Sequence, residues 1–154
     1  MPITTLDPKS ALVVIDLQMG LLGYPTLRPI VEIIARAGEL AAAFRRRSLP
    51  VVLVNAAGRA PGRTDVAGRS LALAAELRAR GVTQVVVVGV STSNGVEASA
   101  RQAFDLGFNV TLPIDAITDV DPQAHDNSVT RIYPRIAETG SAADVLALLH
   151  TRGQ

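Results

Sequence analysis

The run QVVVVGV, Gln84–Val90, is valine-rich and, after its leading glutamine, apolar throughout. A half-buried strand would alternate polar with apolar residues, because successive side chains point to opposite faces. A continuous run suits a strand covered on both faces, as in a parallel sheet with helices on each side. Two more runs share this character, ALVVIDL at Ala11–Leu17 and PVVLVN at Pro50–Asn55, and FNVTLPI at Phe108–Ile114 is a weaker fourth. Helical patterns fall around them, over Pro29–Arg47, Arg69–Arg80, Asn94–Leu106, Pro122–Ile136 and Ser141–His150. Pro29 suits a first helical position, and Arg45–Arg47 oppose the negative end of the helix dipole. Gly81 and Gly107 close the second and third helices, Pro134 predicts a kink in the fourth, and Ser141 with Asp144 forms a capping-box pattern at the fifth. Strands alternating with helices predict right-handed βαβ units and a three-layer α/β/α arrangement around a mostly parallel sheet, one domain over residues 1–154. The Gly- and Pro-containing stretch Ala56–Gly68, AAGRAPGRTDVAG, reads as a surface loop between the second strand and the second helix.

Composition narrows the function classes. Hydrophobic residues make up 48% and aromatics 3%, so the core must be built from Val, Leu, Ile and Ala. A formal net charge of +1 and 19% charged residues point away from a disordered chain and from a nucleic-acid binder. There are no cysteines, which removes disulfides, thiolate metal sites and thiol nucleophiles together and fits a cytoplasmic location. The segment Met1–Ser10 lacks the apolar stretch of a signal peptide, and no apolar run approaches the roughly 20 residues that span a membrane, so no membrane partner is expected. No His/Asp cluster has metal-ligand spacing; neither a metal nor a cofactor is expected.

In an open α/β sheet, ligands bind beyond the carboxyl ends of the strands. That rule selects Asp16 and Gln18 after the first run, Ser91, Thr92, Asn94 and Gly95 after the third, and Asp115 after the fourth, with His125 in the helix that follows. Asp16 is the most informative of these. A carboxylate at the end of a VVI run is desolvated on several sides, and burying one unpaired favours its neutral form. The alternative for Asp16 is a loop cap or an arginine pair. The turn GVSTSNG, Gly89–Gly95, leads from strand to helix and would offer backbone N–H groups to a carboxylate or oxyanion. The alternative there is an ordinary polar N-cap by Ser93 or Asn94. His125 could as well be a core or surface residue, and His150 reads as a complement to the helix dipole.

These residues resemble the isochorismatase-like, or cysteine hydrolase, family over nearly the whole chain. ALVVIDLQMG is similar to that family's first strand, with Asp16 at its catalytic aspartate and Gln18 at its usual glutamine. Val85–Asp119 is similar to its most distinctive block, in which a strand ends in Gly-Val-x-Thr and the nucleophile opens a helix. His125 matches a common histidine, and IYPRIAETGSAADVLALL resembles the family's ending. The resemblance implies a six-stranded sheet of order 3-2-1-4-5-6, a cis peptide at Val90–Ser91, and a homo-oligomer, dimer or larger, with sites near subunit interfaces.

The chain departs from the family where the chemistry sits. The nucleophilic cysteine falls on Gly95, and the family's lysine has no lysine to fill it; counting back from Gly89 puts Arg63 nearest. Arginine does not deprotonate, but it can orient a carboxylate or an anionic substrate. A covalent thioester needs a thiol, so thiol-dependent amide hydrolysis is not expected. Ser91, Thr92 and Ser93 carry hydroxyls, but none takes the nucleophile's place and no activating base is evident. The family branch that hydrolyses vinyl ethers also carries glycine at that position, although it keeps the lysine. Its reaction needs a general acid rather than a nucleophile. The resemblance thus implies a hydrolase acting on a small anionic metabolite, with Asp16 and Arg63 catalytic and Gln18, Ser91, Thr92, Asn94, Gly95 and His125 binding substrate. A nearby Arg63 would hold Asp16 ionised and so oppose proton donation. The alternative is a family member without catalysis, serving as a ligand-binding or assembly subunit.

Overall fold

All four apolar runs become strands of one sheet. The computed structural model describes residues 1–55 and 67–151. The strands are β1 (Ser10–Ile15), β2 (Val51–Val54), β3 (Gln84–Val90), β4 (Asn109–Pro113), β5 (Ile117–Thr118) and β6 (Glu138–Gly140). The helices are α1 (Ile30–Arg46), α2 (Ala67–Ala79), α3 (Glu97–Asp105), α4 (Pro122–Asn127), the single turn α5 (Tyr133–Ile136) and α6 (Ala142–Thr151). The sheet runs β2-β1-β3-β4-β6, and every pairing is parallel. β4 pairs with the first part of β3, and the two-residue β5 continues beside its end at Gly89 and Val90. From β2 onward the order follows the implied one. The implied outer strand beyond β2 is not found among the described residues.

The unbroken valine runs have a direct cause in the layering. On one face of the sheet, Ala11, Val13, Ile15, Val85 and Val87 pack with Ala74 and Leu77 of α2 and Ala100 of α3. On the other, Leu12, Val14, Val86 and Val88 pack with Leu40, Ala41 and Phe44 of α1 and Val145 and Leu149 of α6. Adjacent strand residues therefore serve opposite cores, and both faces must be apolar.

The helix ends follow the local chemistry with three adjustments. Pro29 caps α1 from an extended conformation instead of opening it, because its ψ of 126° is not helical. The third helix is entered through a wide π turn at Thr92–Val96. The fourth is broken into α4, a π turn at Ser128–Ile132, and α5, so the kink precedes Pro134, whose missing N–H cannot continue an α-helical ladder. Gly81 and Gly107 end α2 and α3 with φ of +72° and +84°. The capping box at α6 forms as the sequence predicts: the Ser141 N–H donates to Asp144 Oδ2 at 2.8 Å, and the Asp144 N–H donates to Ser141 Oγ at 3.1 Å. Ser141→Ala is expected to lower unfolding stability by about 1 kcal/mol, as read by urea denaturation. An unchanged midpoint would mean that the cap contributes nothing. Among the described residues no helix is long and apolar enough to cross a membrane.

Candidate functional site

The register of β1 against β3 builds the site. Ile15 lies opposite Gly89, so the chain leaves both strands at the same level, and Asp16 emerges beside the turn that starts at Ser91. Gly89 has a φ of +120°, and a Cβ there would lie 2.0 Å from the Ile15 carbonyl oxygen. Only glycine allows the strands this close at that point. Asp16 itself has a φ of +48°, in the left-handed region that Asp and Asn tolerate better than other side chains. Its N–H donates to the Val54 carbonyl at 2.8 Å, and its carbonyl accepts from the Gln18 N–H at 2.9 Å. The Gln18 side-chain amide donates to Asp16 Oδ1 at 3.2 Å. Asp16 Oδ2 faces Gly95: a Cβ on Gly95 would sit 3.6 Å from it, 3.3 Å from the Val90 carbonyl oxygen and 2.9 Å from Ile15 Cγ2. Asp16, Gln18 and Gly95 are thus brought together, each half-buried.

The turn between them is tightly tied. The peptide Val90–Ser91 is cis, as the resemblance implies. The Ser91 carbonyl accepts from the Asn94 and Val96 N–H groups at 3.2 and 3.0 Å. The Ser93 N–H and Oγ both donate to Asp119 Oδ2, at 2.7 and 2.8 Å. The turn was expected to aim several N–H groups at a ligand; those of Ser93, Asn94 and Val96 are instead engaged internally. Neither Ser93 nor Asn94 caps α3 with its side chain. Asn94 is exposed and Ser91 half-buried, both on the turn that carries Gly95.

Within the turn, Thr92 reaches His125 of α4. Thr92 is fully buried, its hydroxyl is 2.8 Å from His125 Nδ1, and its carbonyl accepts from the Tyr133 hydroxyl at 2.6 Å. His125 is itself buried. Burial lowers its pKa below the ordinary 6.5, Arg28 adds to this, and Asp126 and Asp119 oppose it. Asp119 is also buried. Burial raises its pKa, but hydrogen bonds from Ser93, Asp121 and Val120 outweigh that and hold it below 3.8. Burial, with the nearby Glu97 and Asp119 charges, pushes the Tyr133 phenol up, so it stays a neutral donor. Asp115 pairs with Arg36 at 3.1 Å and accepts from the Ala142 N–H at 2.7 Å, which ties the end of β4 to α1 and α6. Arg63 lies outside the described residues. Among those described, no group of three or more His, Cys, Asp or Glu side chains could hold a metal.

The buried histidine has a consequence for stability. An unfolded His125 takes its proton at the ordinary 6.5 and the folded one only lower, so the unfolded chain binds more protons as pH falls. Stability is therefore fully present above pH 6.5 and declines through the folded value; Asp119 adds a second decline below 3.8. Denaturation midpoints measured from pH 7 downward should show this, and His125→Gln should flatten the first decline. A wild-type profile level down to pH 4 would contradict it.

Sequence reasoning did not single out Asp119 or Tyr133. Asp119 closes the ITD segment after β5, and its burial comes only from the tertiary approach of Ser93. Its one sequence signal is an acid at a strand end, the same signal that marked Asp16.

Comparison with known proteins supplies the context for this geometry. The isochorismatase domain model matches residues 67–144. The isochorismatase family protein YecD of Escherichia coli O157:H7 is 35% identical, over 91% of this chain and 96% of YecD. The solved structure of an isochorismatase family protein from Burkholderia thailandensis superposes with a TM-score of 0.80 at 29% identity, covering 95% of this chain and 98% of that one. YcaC of Escherichia coli, described as an octameric hydrolase of unknown specificity, superposes with a TM-score of 0.81 at 22% identity, over 100% of this chain and 87% of YcaC.

Proposed function

The chain belongs to the isochorismatase family, and from that premise we propose that it hydrolyses a small anionic vinyl ether with Asp16 as the general acid. The observation that carries this reading is the pairing of Asp16 Oδ2 with Gly95 at the place of the family's thiol, in a chain that has no cysteine. An amide needs a nucleophile at that place; a vinyl ether needs a proton. The protonated carboxyl of Asp16 gives its proton to the terminal vinyl carbon, and the C=C π pair forms the new C–H bond. The ether oxygen stabilises the resulting cation. Water adds to that cation and returns a proton to the carboxylate. The hemiketal formed then collapses to a ketone and an alcohol, so one water is consumed in all. Gln18 holds the other oxygen of Asp16 and so fixes which one faces substrate.

In this reading Ser91, Asn94 and Gly95 line the substrate, the Thr92–His125 contact holds the turn in place, and Arg63 or another arginine of the same loop binds the substrate carboxylate. Purified protein should turn over isochorismate and leave simple amides intact. Binding of isochorismate without turnover would favour the non-catalytic alternative. The room at Gly95 is tested separately. Gly95→Ala places a methyl against Ile15 and toward Asp16, and is expected to cost about 1–3 kcal/mol of stability and to slow turnover. Full activity in that variant would remove Gly95 from the substrate's path.

The partner proposed besides substrate is a second copy of this chain. Leu22, Tyr24, Leu27, Val31 and Ile34 are exposed on the β1–α1 connection and on α1, and the structurally similar YcaC is octameric. Light scattering on the purified protein tests this, and a monomer at micromolar concentration would contradict it.

A further inference from the structure

We infer that Asp119 is a positioning residue that clamps the Gly95 turn and the Thr26–Arg28 segment into one body around the site. Both oxygens of its buried carboxylate are committed. Oδ2 accepts from the Ser93 N–H and hydroxyl, and Oδ1 accepts from the Val120 N–H at 2.8 Å and the Asp121 N–H at 3.3 Å. Its backbone carbonyl accepts from the Leu27 N–H at 2.7 Å. The preceding Thr118 extends the same seam, accepting from the Arg28 N–H at 2.9 Å through Oγ1. One residue thus joins the turn after β3, the end of the connection that leaves Asp16, and the start of α4.

Four donors on two oxygens need a carboxylate. An asparagine has a single acceptor oxygen, and its NH2 group would face N–H donors on the other side. Asp119→Asn is therefore a disruptive change here despite its shape. A residue that only caps its own turn would affect Ser93, Val120 and Asp121. A clamp reaches further, to Asn94 and Val96, whose acceptor is Ser91, and to Leu27, whose acceptor is the Asp119 backbone. The substitution removes none of those acceptors.

Amide hydrogen exchange separates the two cases without any substrate. In Asp119→Asn, exchange at Leu27, Asn94 and Val96 should rise about tenfold or more while amides in the middle of α1 keep their rates. Acceleration confined to Ser93, Val120 and Asp121 would overturn the clamp. Ser93→Ala keeps the N–H bond and removes only the hydroxyl bond, and serves if the first variant does not fold. It should accelerate Asn94 and Val96; wild-type rates there would overturn the clamp as well. The link to catalysis rests on the vinyl-ether reading. If isochorismate is turned over, Asp119→Asn should raise KM about fivefold or more and change kcat about twofold at most, because the turn binds substrate and Asp16 does the chemistry. An unchanged KM would reduce Asp119 to a structural residue. Absence of turnover in the wild type would defeat the vinyl-ether reading and leave the exchange result to decide the clamp.

Discussion

Gly89→Ala should abolish the native fold. A Cβ at this position would lie 2.0 Å from the Ile15 carbonyl oxygen and 2.8 Å from the Ile15 nitrogen, both backbone atoms of a paired strand. Neither can move without unzipping β1 from β3, two adjacent interior strands of the sheet. The φ of +120° adds a conformational cost that any L side chain bears. Clash and strain together place the loss on the order of 4 kcal/mol or more, a large share of a small domain's stability. Circular dichroism and urea denaturation of the variant would read this. A cooperative transition at the wild-type midpoint would show that the strands separate at this level more easily than their register suggests.

On the vinyl-ether reading, Asp16→Asn should fold and lose turnover of isochorismate. Asparagine tolerates a φ of +48° as well as aspartate does, and its oxygen can still accept from Gln18. The change is thus nearly silent for the backbone. It removes a carboxyl group that faces Gly95. Loss of a general acid slows a reaction about 10²- to 10⁴-fold, and turnover of isochorismate should fall by that amount. Gln18→Ala should do less, since it frees the orientation of the acid without removing it. Wild-type turnover in Asp16→Asn would assign the proton to another group.

The fold was largely legible because burial on both faces leaves a mark that needs no partner to be read. Val85–Val88 cannot be mistaken for an amphipathic strand, and β3 spans the predicted residues, Gln84–Val90. The capping box at Ser141 and Asp144 and the glycines ending α2 and α3 are equally local, set by chemistry within four residues. The π turns were not legible, since a wide turn keeps helical composition and differs only in which carbonyl each N–H reaches. At the site, Asp16 and the Gly89–Gly95 turn could be placed together because strand ends meet on one edge of a parallel sheet. The hydrogen bonds within the turn could not. Thr92 is fully buried, with His125 and Tyr133 as its hydrogen-bond partners, which no local pattern announces. Asp119 looked like any acid in a connection, and only the fold brings Ser93 onto it.

The shared edge also explains what holds the geometry of the site. Asp16, Gln18 and the strand-to-helix turn are held by sheet register and by the hydrogen bonds that Gln18 gives Asp16 and Ser93 gives Asp119.

Proton donation to carbon has a signature that no amide hydrolysis shares. Wild-type protein incubated with isochorismate in D2O, followed by proton NMR, should lose the vinyl signals and form a ketone with one deuterium in its new methyl group. Vinyl signals that persist at enzyme-equivalent concentrations, while a simple amide is cleaved under the same conditions, would contradict Asp16 as a general acid at this site.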